Sequence, residues 1–288
     1  MAGTSPSPSR RCRVAGSCRP WSRELHRGGS RVIPLAVTTS AKKDAELERD
    51  ARAVARRWGL PFLPRKPKEG IAPWLGTKAA AILVVGGDGV TLWEPEGTFG
   101  FHAGMAHLRR MRFREGARDD AFVRSAELRP GDAVLDCTLG LGQDALMASL
   151  AVGPTGRVVG LEKSPALCVV AGEGLRRYPR GEDSCAIDVL NVDAHAYLKT
   201  QPSGAFDVVF FDPMFAKPKK AQPAFEVLRR FADHSPLTPE ALEEGRRVAR
   251  RWVVVKGAKH SDDLQKLGLT PEPGSRYTDV IWGRVAAR

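Results

Sequence analysis

The stretch VLDCTLGLGQDA, residues 134–145, reads as an apolar strand ending on an acid, Asp136, then a loop with Gly140 and Gly142, then a helix beginning near Gln143. Such a strand, glycine loop and helix N-terminus form a cradle, because no Cβ blocks the approach of a ligand and the first helical N–H groups point at it. The string also fits the GxGxxA pattern of dinucleotide-binding folds. Glu162 follows Gly142 by 20 residues, at the end of the next apolar run, where a carboxylate grips ribose hydroxyls. On these two features NAD and S-adenosylmethionine are equally admissible. Two acids tilt the choice: Asp144 at the helix start repels a pyrophosphate and attracts a sulfonium or α-amino group, and Asp136 adds a second negative charge at the strand tip. The competing reading of each is structural, with Asp136 receiving loop amides and Asp144 serving as a first-turn acid.

Downstream of Gly131 the same rhythm continues, short apolar runs alternating with helical stretches: AVLDCTL, RVVGLE, AIDVLN, DVVFFD, RWVVVKG and DVIWGRV. Strands spaced by helices mean βαβ units and a mainly parallel α/β sheet covered on both faces. Thr238, Pro239 and Glu240 open a helix as N-cap, first-turn proline and first-turn carboxylate, and Arg250 and Arg251 are expected to close it. Upstream, AELERDARAVARRWG (45–59) places Leu47, Ala51, Val54, Ala55 and Trp58 at helical spacing with Gly59 as the stop. AAILVVGGDGVTLW (80–93) reads as two strands about a Gly-Asp-Gly turn, and residues 102–128 read as interrupted helix. The expected organisation is a basic, disordered extension over 1–36, a small α+β unit over 37–103 and the α/β domain over 104–288.

The 288 residues, 42% hydrophobic and 27% charged, suffice for one large domain plus an appendage. The net charge of +12 favours a polyanionic partner, although charge speaks to partners and not to fold. Residues 1–36 hold seven Arg against one Glu. A disordered arm, an organellar transit peptide and sequence upstream of the true start all fit that composition, and we expect the segment to be functionally silent. Five cysteines form no CxxC pair, so neither a disulfide framework nor a zinc site is expected, and a reducing, cytoplasmic setting follows. No apolar run approaches the roughly 20 residues that cross a bilayer.

The most specific string is Asp212-Pro213-Met214-Phe215, at the end of DVVFFD. It lies where open parallel sheets bind their ligands, and it looks like the (D/N)PP(Y/F) motif of methyltransferases that modify exocyclic amines. The lone pair of an aromatic amine is delocalised into its ring. The Asp212 carboxylate and the Pro213 carbonyl can hold the amine hydrogens and aim the lone pair, while Phe215 stacks on the base. Asp193 follows the third strand, in the position of a polar contact to an adenine amine. His195, His102, His107 and His260 suggest neither a catalytic base nor a metal ligand.

Together with VTTSAKK (37–43), GLPFLPR (59–65) and VVGLEKSP (158–165), these strings resemble the ribosomal small-subunit methyltransferase J family and its uncharacterised bacterial relatives. The resemblance implies a class I methyltransferase (Rossmann-like) fold with a mainly parallel seven-stranded sheet, S-adenosyl-L-methionine as cofactor, and methylation of a guanine N2 in small-subunit rRNA. Position by position it assigns cofactor contacts to Gln143, Asp144, Glu162, Lys163, Asp193, Ala194 and Asp212, to which the strand-tip and loop reading adds Asp136, Gly140 and Gly142; the tetrad supplies the acceptor clamp, Asp212, Pro213 and Phe215. Gln143 replaces the arginine usual in these rRNA enzymes, and Asp193 with Ala194 replaces a Ser pair, which puts the substrate more in doubt than the cofactor. The basic segments HLRRMRFR (107–114) and AKPKKAQ (216–222) can neutralise phosphates, with Lys217, Lys219 and Lys220 flanking the route of a flipped nucleotide. A methyltransferase of a small molecule or protein is the first alternative, and a NAD-dependent oxidoreductase or non-catalytic nucleotide binder the second.

Overall fold

The computed structural model describes residues 25–27, 30–42, 44–117, 119–213, 230–272 and 279–288. Two sheets share one helix between them. The first sheet runs in chain order through β1 (Leu25–Arg27), β2 (Ser30–Thr39), β3 (Ala79–Gly86), β4 (Gly89–Glu94) and β5 (Gly97–Gly100). β2 and β3 are parallel, joined through α1 (Ala45–Trp58), and β3 and β4 form the expected hairpin, with Gly86 paired to Gly89. Asp44 caps α1 through its carboxylate and Gly59 ends it in the left-handed region, φ 64°.

β2 corrects the boundary read from composition. The strand starts at Ser30, and Leu35 and Ala36 are buried in it, so the last residues assigned to the basic extension belong to the sheet. Pro34 hid this strand: it lacks an N–H and argues locally against sheet structure, while the neighbouring arginines obscure the apolar alternation. β2 tolerates it because the ladder to β3 is carried by its neighbours, Ile33 opposite Ala79 and Leu35 opposite Ala81.

The second sheet has seven strands: β6 (Ala133–Asp136), β7 (Arg157–Glu162), β8 (Ile187–Asn191), β9 (Phe206–Phe211), β10 (Ala249–Ala258), β11 (Pro271–Glu272) and β12 (Val280–Ala286). Their order is β11-β12-β10-β9-β6-β7-β8, and only β12 opposes its neighbours. On one face Val134, Val158, Val208 and Val254 pack under α2 (Met105–Arg114), α3 (Ala121–Ser125) and α4 (Gln143–Val152). On the other, Leu135, Val159, Val209 and Val255 pack with α6 (Ala194–Thr200) and α7 (Pro239–Val248). Thr238 caps α7 as expected, but the helix closes at Val248, with Arg246 and Arg247 in its last turn. Arg250 and Arg251 already lie in β10, because the β-branched run that follows extends the strand back to Ala249. A short helix, α8 (Asp263–Lys266), follows β10. No described helix is long and apolar enough to cross a membrane.

The shared element is α5 (Pro165–Arg177), whose Leu167, Val169 and Val170 pack with the first sheet and whose Ala171 and Leu175 pack with the second. Gly172 leaves room for the Trp58 ring, which a Cβ there would meet at 2.5 Å. Between them sits Glu173, fully buried, accepting from Trp58 Nε1 at 2.9 Å and Arg176 at 3.0 Å and pairing with Arg57. Burial alone would raise this carboxyl, but Trp58, Arg57 and Arg176 hold it below its ordinary range. We expect Glu173→Gln to lower the unfolding free energy by about 1–3 kcal/mol in urea denaturation. The loss should be full at neutral pH and shrink as pH falls through the folded-state value, because a depressed carboxyl stabilises only above it.

Candidate active site

The chain winds from β6 to β7 and β8 on one side, then returns to place β9 on the other side of β6. A parallel sheet parts at such a reversal, and the crevice beyond the strand ends is where ligands of these sheets bind. Here it holds a cleft of about 560 Å³, within the usual range for small-molecule sites. One continuous lining joins Glu162 at the tip of β7, Asp193 after β8, Asp136 at the tip of β6, and Asp212 after β9.

The glycine loop lines the cleft through residues 137–141 and Gln143, while Gly142 lies behind it. Leu139 donates its N–H to Leu161 O, and Gly142 caps α4 with φ 71°. A side chain at Gly142 would be strained there and would meet Leu175 at 2.7 Å. The Gln143 side chain lies against the backbone of Gly104, at the start of α2. At one end of the cleft, Glu162 accepts from the amides of Gly140 (3.0 Å) and Ser164 (2.8 Å), and burial pushes its carboxyl up to about 7 against those amides. Lys163 bridges Asp193 (3.3 Å) and Asp233 (2.9 Å), while Asp193 also caps α6, whose first residue is Ala194. His195 lines the cleft too, and its Nε2 is buried without a hydrogen-bond partner among the described residues.

At the other end the acids are not the free charges the sequence suggests. Asp144 is buried, with Oδ1 taken by Arg109 at 2.7 Å and Oδ2 by Lys256 at 3.1 Å. Burial raises its carboxyl, but the two cations hold it below its ordinary range. Its charge is therefore spent within the protein. Asp136 accepts from the Thr138 amide at 3.0 Å, so it does receive a loop amide, and burial with Asp144 and Asp212 nearby lifts it to about 8. Burial thus favours its protonated form. Asp212 donates its N–H to Thr138 Oγ1 at 2.5 Å, and its Oδ2 meets Lys256 Nζ at 2.7 Å. Pro213 lines the same wall, while Phe215 and the 216–222 basic segment lie outside the described residues.

Arg109 and Lys256 escaped the sequence reading. Arg109 stood in a segment read as phosphate-binding, and that reading needs correction for Arg109 and Arg110, the latter buried against Arg180 O and Ser184. Arg114, paired with Asp183, and Arg112, facing Asp119 at 3.2 Å, keep exposed side chains. Lys256 was visible as the one cation in an otherwise apolar strand run, RWVVVKG, after its opening arginine.

Sheet order, glycine loop and strand-tip acids define a Rossmann-like ligand site, and the family to which the chain belongs makes it that of a class I S-adenosylmethionine-dependent methyltransferase. The solved SAM-dependent methyltransferase NGO1261 from Neisseria gonorrhoeae shares the fold, with a TM-score of 0.56 over 88% of this chain and 96% of that one at 20% identity. A family model described as "Putative SAM-dependent methyltransferase" matches residues 96–272, and the chain belongs to that family. The chain is 35% identical to the uncharacterised protein YpiP of Bacillus subtilis over 81% of its length and 92% of the relative's. It is 30% identical to a ribosomal RNA small subunit methyltransferase J of Chromobacterium violaceum, over 78% and 86% of the two lengths. The cofactor is S-adenosyl-L-methionine, and the cleft suits it. Apolar Leu139, Leu141 and Leu167 flank the Glu162 end, and the far end sets Asp144 and Asp212 against Arg109 and Lys256, with Asp136, raised by burial, able to ionise toward a cationic ligand.

The raised Asp136 has a measurable consequence. Between about pH 4 and pH 8 the unfolded chain releases this proton and the folded protein keeps it, so the stability of the ligand-free protein falls as pH rises. Asp136→Asn keeps the acceptor for Thr138 and removes the titration. Its unfolding free energy should gain on wild type across that window, by on the order of a few kcal/mol at pH 8. Parallel urea-denaturation curves at every pH would contradict the assignment.

Proposed function

We propose that the protein methylates the exocyclic N2 of a guanine in small-subunit rRNA. The observation that carries the reading is Asp212: it follows the strand across the reversal from Asp136, lines the same cleft as Glu162, and is tied down through Oδ2 while Oδ1 has no hydrogen-bond partner among the described residues. A fixed carboxylate with one oxygen available is what an amine N–H needs to be held with its lone pair aimed at a methyl donor. The relatives named as ribosomal RNA small subunit methyltransferase J and the net charge of +12 support the choice of acceptor. Arg109 and Arg110 are taken up within the protein, which leaves Arg112 and Arg114 as the exposed cations of α2 for RNA contact.

When bound, S-adenosylmethionine supplies an electrophilic methyl group on a sulfonium. On this reading Glu162, pinned by the Gly140 and Ser164 amides, takes the ribose hydroxyls, with Lys163, Asp193 and Ala194 at the base-binding end. Asp136, Gly140, Gly142, Gln143 and Asp144 shape the methionine end, where Asp136 gives up its proton as a cation enters. With the donor bound, the amine nitrogen would take the methyl carbon and the carbon–sulfur electron pair would remain on sulfur. One N–H proton of the methylated amine passes to Asp212 Oδ1 and on to solvent. Pro213 presents its carbonyl to the second N–H. No covalent enzyme intermediate is needed.

The test is labelled methyl transfer to small subunits and naked rRNA from a strain lacking the gene, with nucleosides read by mass spectrometry. N2-methylguanosine is expected, and no incorporation into any rRNA fragment or subunit would overturn the reading. Asp212→Ala should cut turnover by about 100-fold or more. Its S-adenosylhomocysteine affinity by calorimetry should stay within about tenfold of wild type, roughly 1.4 kcal/mol.

A further inference from the structure

The acceptor end of the cleft is built as an alternating row of charges: Asp120, Arg109, Asp144, Lys256, Asp212. Arg109 grips Asp120 with two nitrogens at 2.8 and 3.0 Å and reaches Asp144 at 2.7 Å, and Lys256 spans Asp144 at 3.1 Å and Asp212 at 2.7 Å. Lys256 extends from β10 among the buried Val253, Val254 and Val255, with its ammonium 5.7 Å from the centre of the Trp282 ring. Held from two sides by Asp144 and Asp212, the ammonium is turned into the cleft.

The groups facing Asp212 are few. Asp144 approaches from α4 and Asp136 from β6, both acids, while Thr138 contributes a neutral hydroxyl. Arg109 touches Asp144 and not Asp212. Burial, with Asp144 beside it, lifts the Asp212 carboxyl above its ordinary range, and Lys256 is the cation among the described residues that limits the rise. The protonation state matters to the chemistry. A carboxylate accepts an amine N–H and leaves the nitrogen lone pair for the methyl group, whereas a carboxylic acid offers its own proton to that lone pair and can take none afterwards.

We infer that Lys256 is a positioning residue for methyl transfer: anchored on Asp144, its ammonium fixes Asp212 by Oδ2 and keeps that carboxylate charged, so that Oδ1 serves the acceptor amine. The inference rests on Asp212 being the amine clamp. It explains why Asp144 is buried with two cations: Asp144 is the footing of Lys256, and Arg109 balances the charge that this footing would otherwise leave exposed to Asp212.

The experiment measures Asp212 itself. Protein carrying 13C-labelled aspartate carboxyls, with the Asp212 resonance assigned by loss in Asp212→Asn, is titrated as wild type, Lys256→Gln, Lys256→Met and Lys256→Arg. S-adenosylhomocysteine binding verifies that each variant is folded. Either neutral variant should raise the Asp212 midpoint by about one pH unit or more, a tenfold change in proton affinity, and Lys256→Arg should restore most of it. In the methyl-transfer assay the acid limb of the kcat–pH profile should move the same way, with S-adenosylhomocysteine affinity within about threefold of wild type. An Asp212 midpoint that stays put in folded neutral variants overturns the inference, even if wild type forms N2-methylguanosine. A midpoint that rises while wild type methylates no rRNA overturns the rRNA reading and supports the role of Lys256 in holding Asp212.

Discussion

Carboxylates gathered at the buried edge of one sheet repel each other and lose their hydration, and the site endures because cations are threaded between them. Removing one partner of a buried ion pair typically costs about 3–5 kcal/mol, against roughly 0–1 kcal/mol for an exposed one. The two bridging cations come from distant parts of the chain: Arg109 from α2, ahead of the seven-stranded sheet, and Lys256 from β10, near its end. The acids come from α4 and from the loop after β9. Assembly of the charge row therefore requires the domain to close around the β6–β9 reversal, and the same closure opens the cleft.

The N-terminal sheet bears on the site through α5. That helix begins two residues beyond Lys163, packs on both sheets, and carries Glu173, which fastens α1 to it. Strand β2, α1 and the Trp58 ring are thus coupled to the element that follows the Glu162 tip. The N-terminal unit has a packing role that composition alone did not reveal, and the α2 segment beyond it contributes Arg109 to the cleft.

Much of this was legible in the residues. Six apolar runs predict the parallel sheet, because strands buried on both faces are written as nearly continuous Val, Leu, Ile and Phe. The glycine loop, Glu162, Asp193 and Asp212 all line one cleft, as strand-tip positions of a single sheet must. What the sequence withheld were partners. Asp144 was found as a residue, but its charge was read as available, since nothing local says that Arg109, 35 positions earlier, and Lys256, 112 positions later, will meet it. The arginines of 107–114 all read as free to meet phosphates because burial of a guanidinium against carbonyls, as at Arg110, leaves no periodic signature. Pro34 concealed β2 for the opposite reason, since a local rule was overridden by pairing with β3.

The central claim is that one molecule of S-adenosylmethionine spans the cleft from the β7 tip to the β9 tip. A crystal structure with S-adenosylhomocysteine tests it most directly. The account predicts the ribose hydroxyls on Glu162, the adenine beside Asp193, and the sulfur directed toward Asp212 with space beyond it for a planar base. A ligand seated elsewhere, or a sulfur facing away from Asp212, would contradict it.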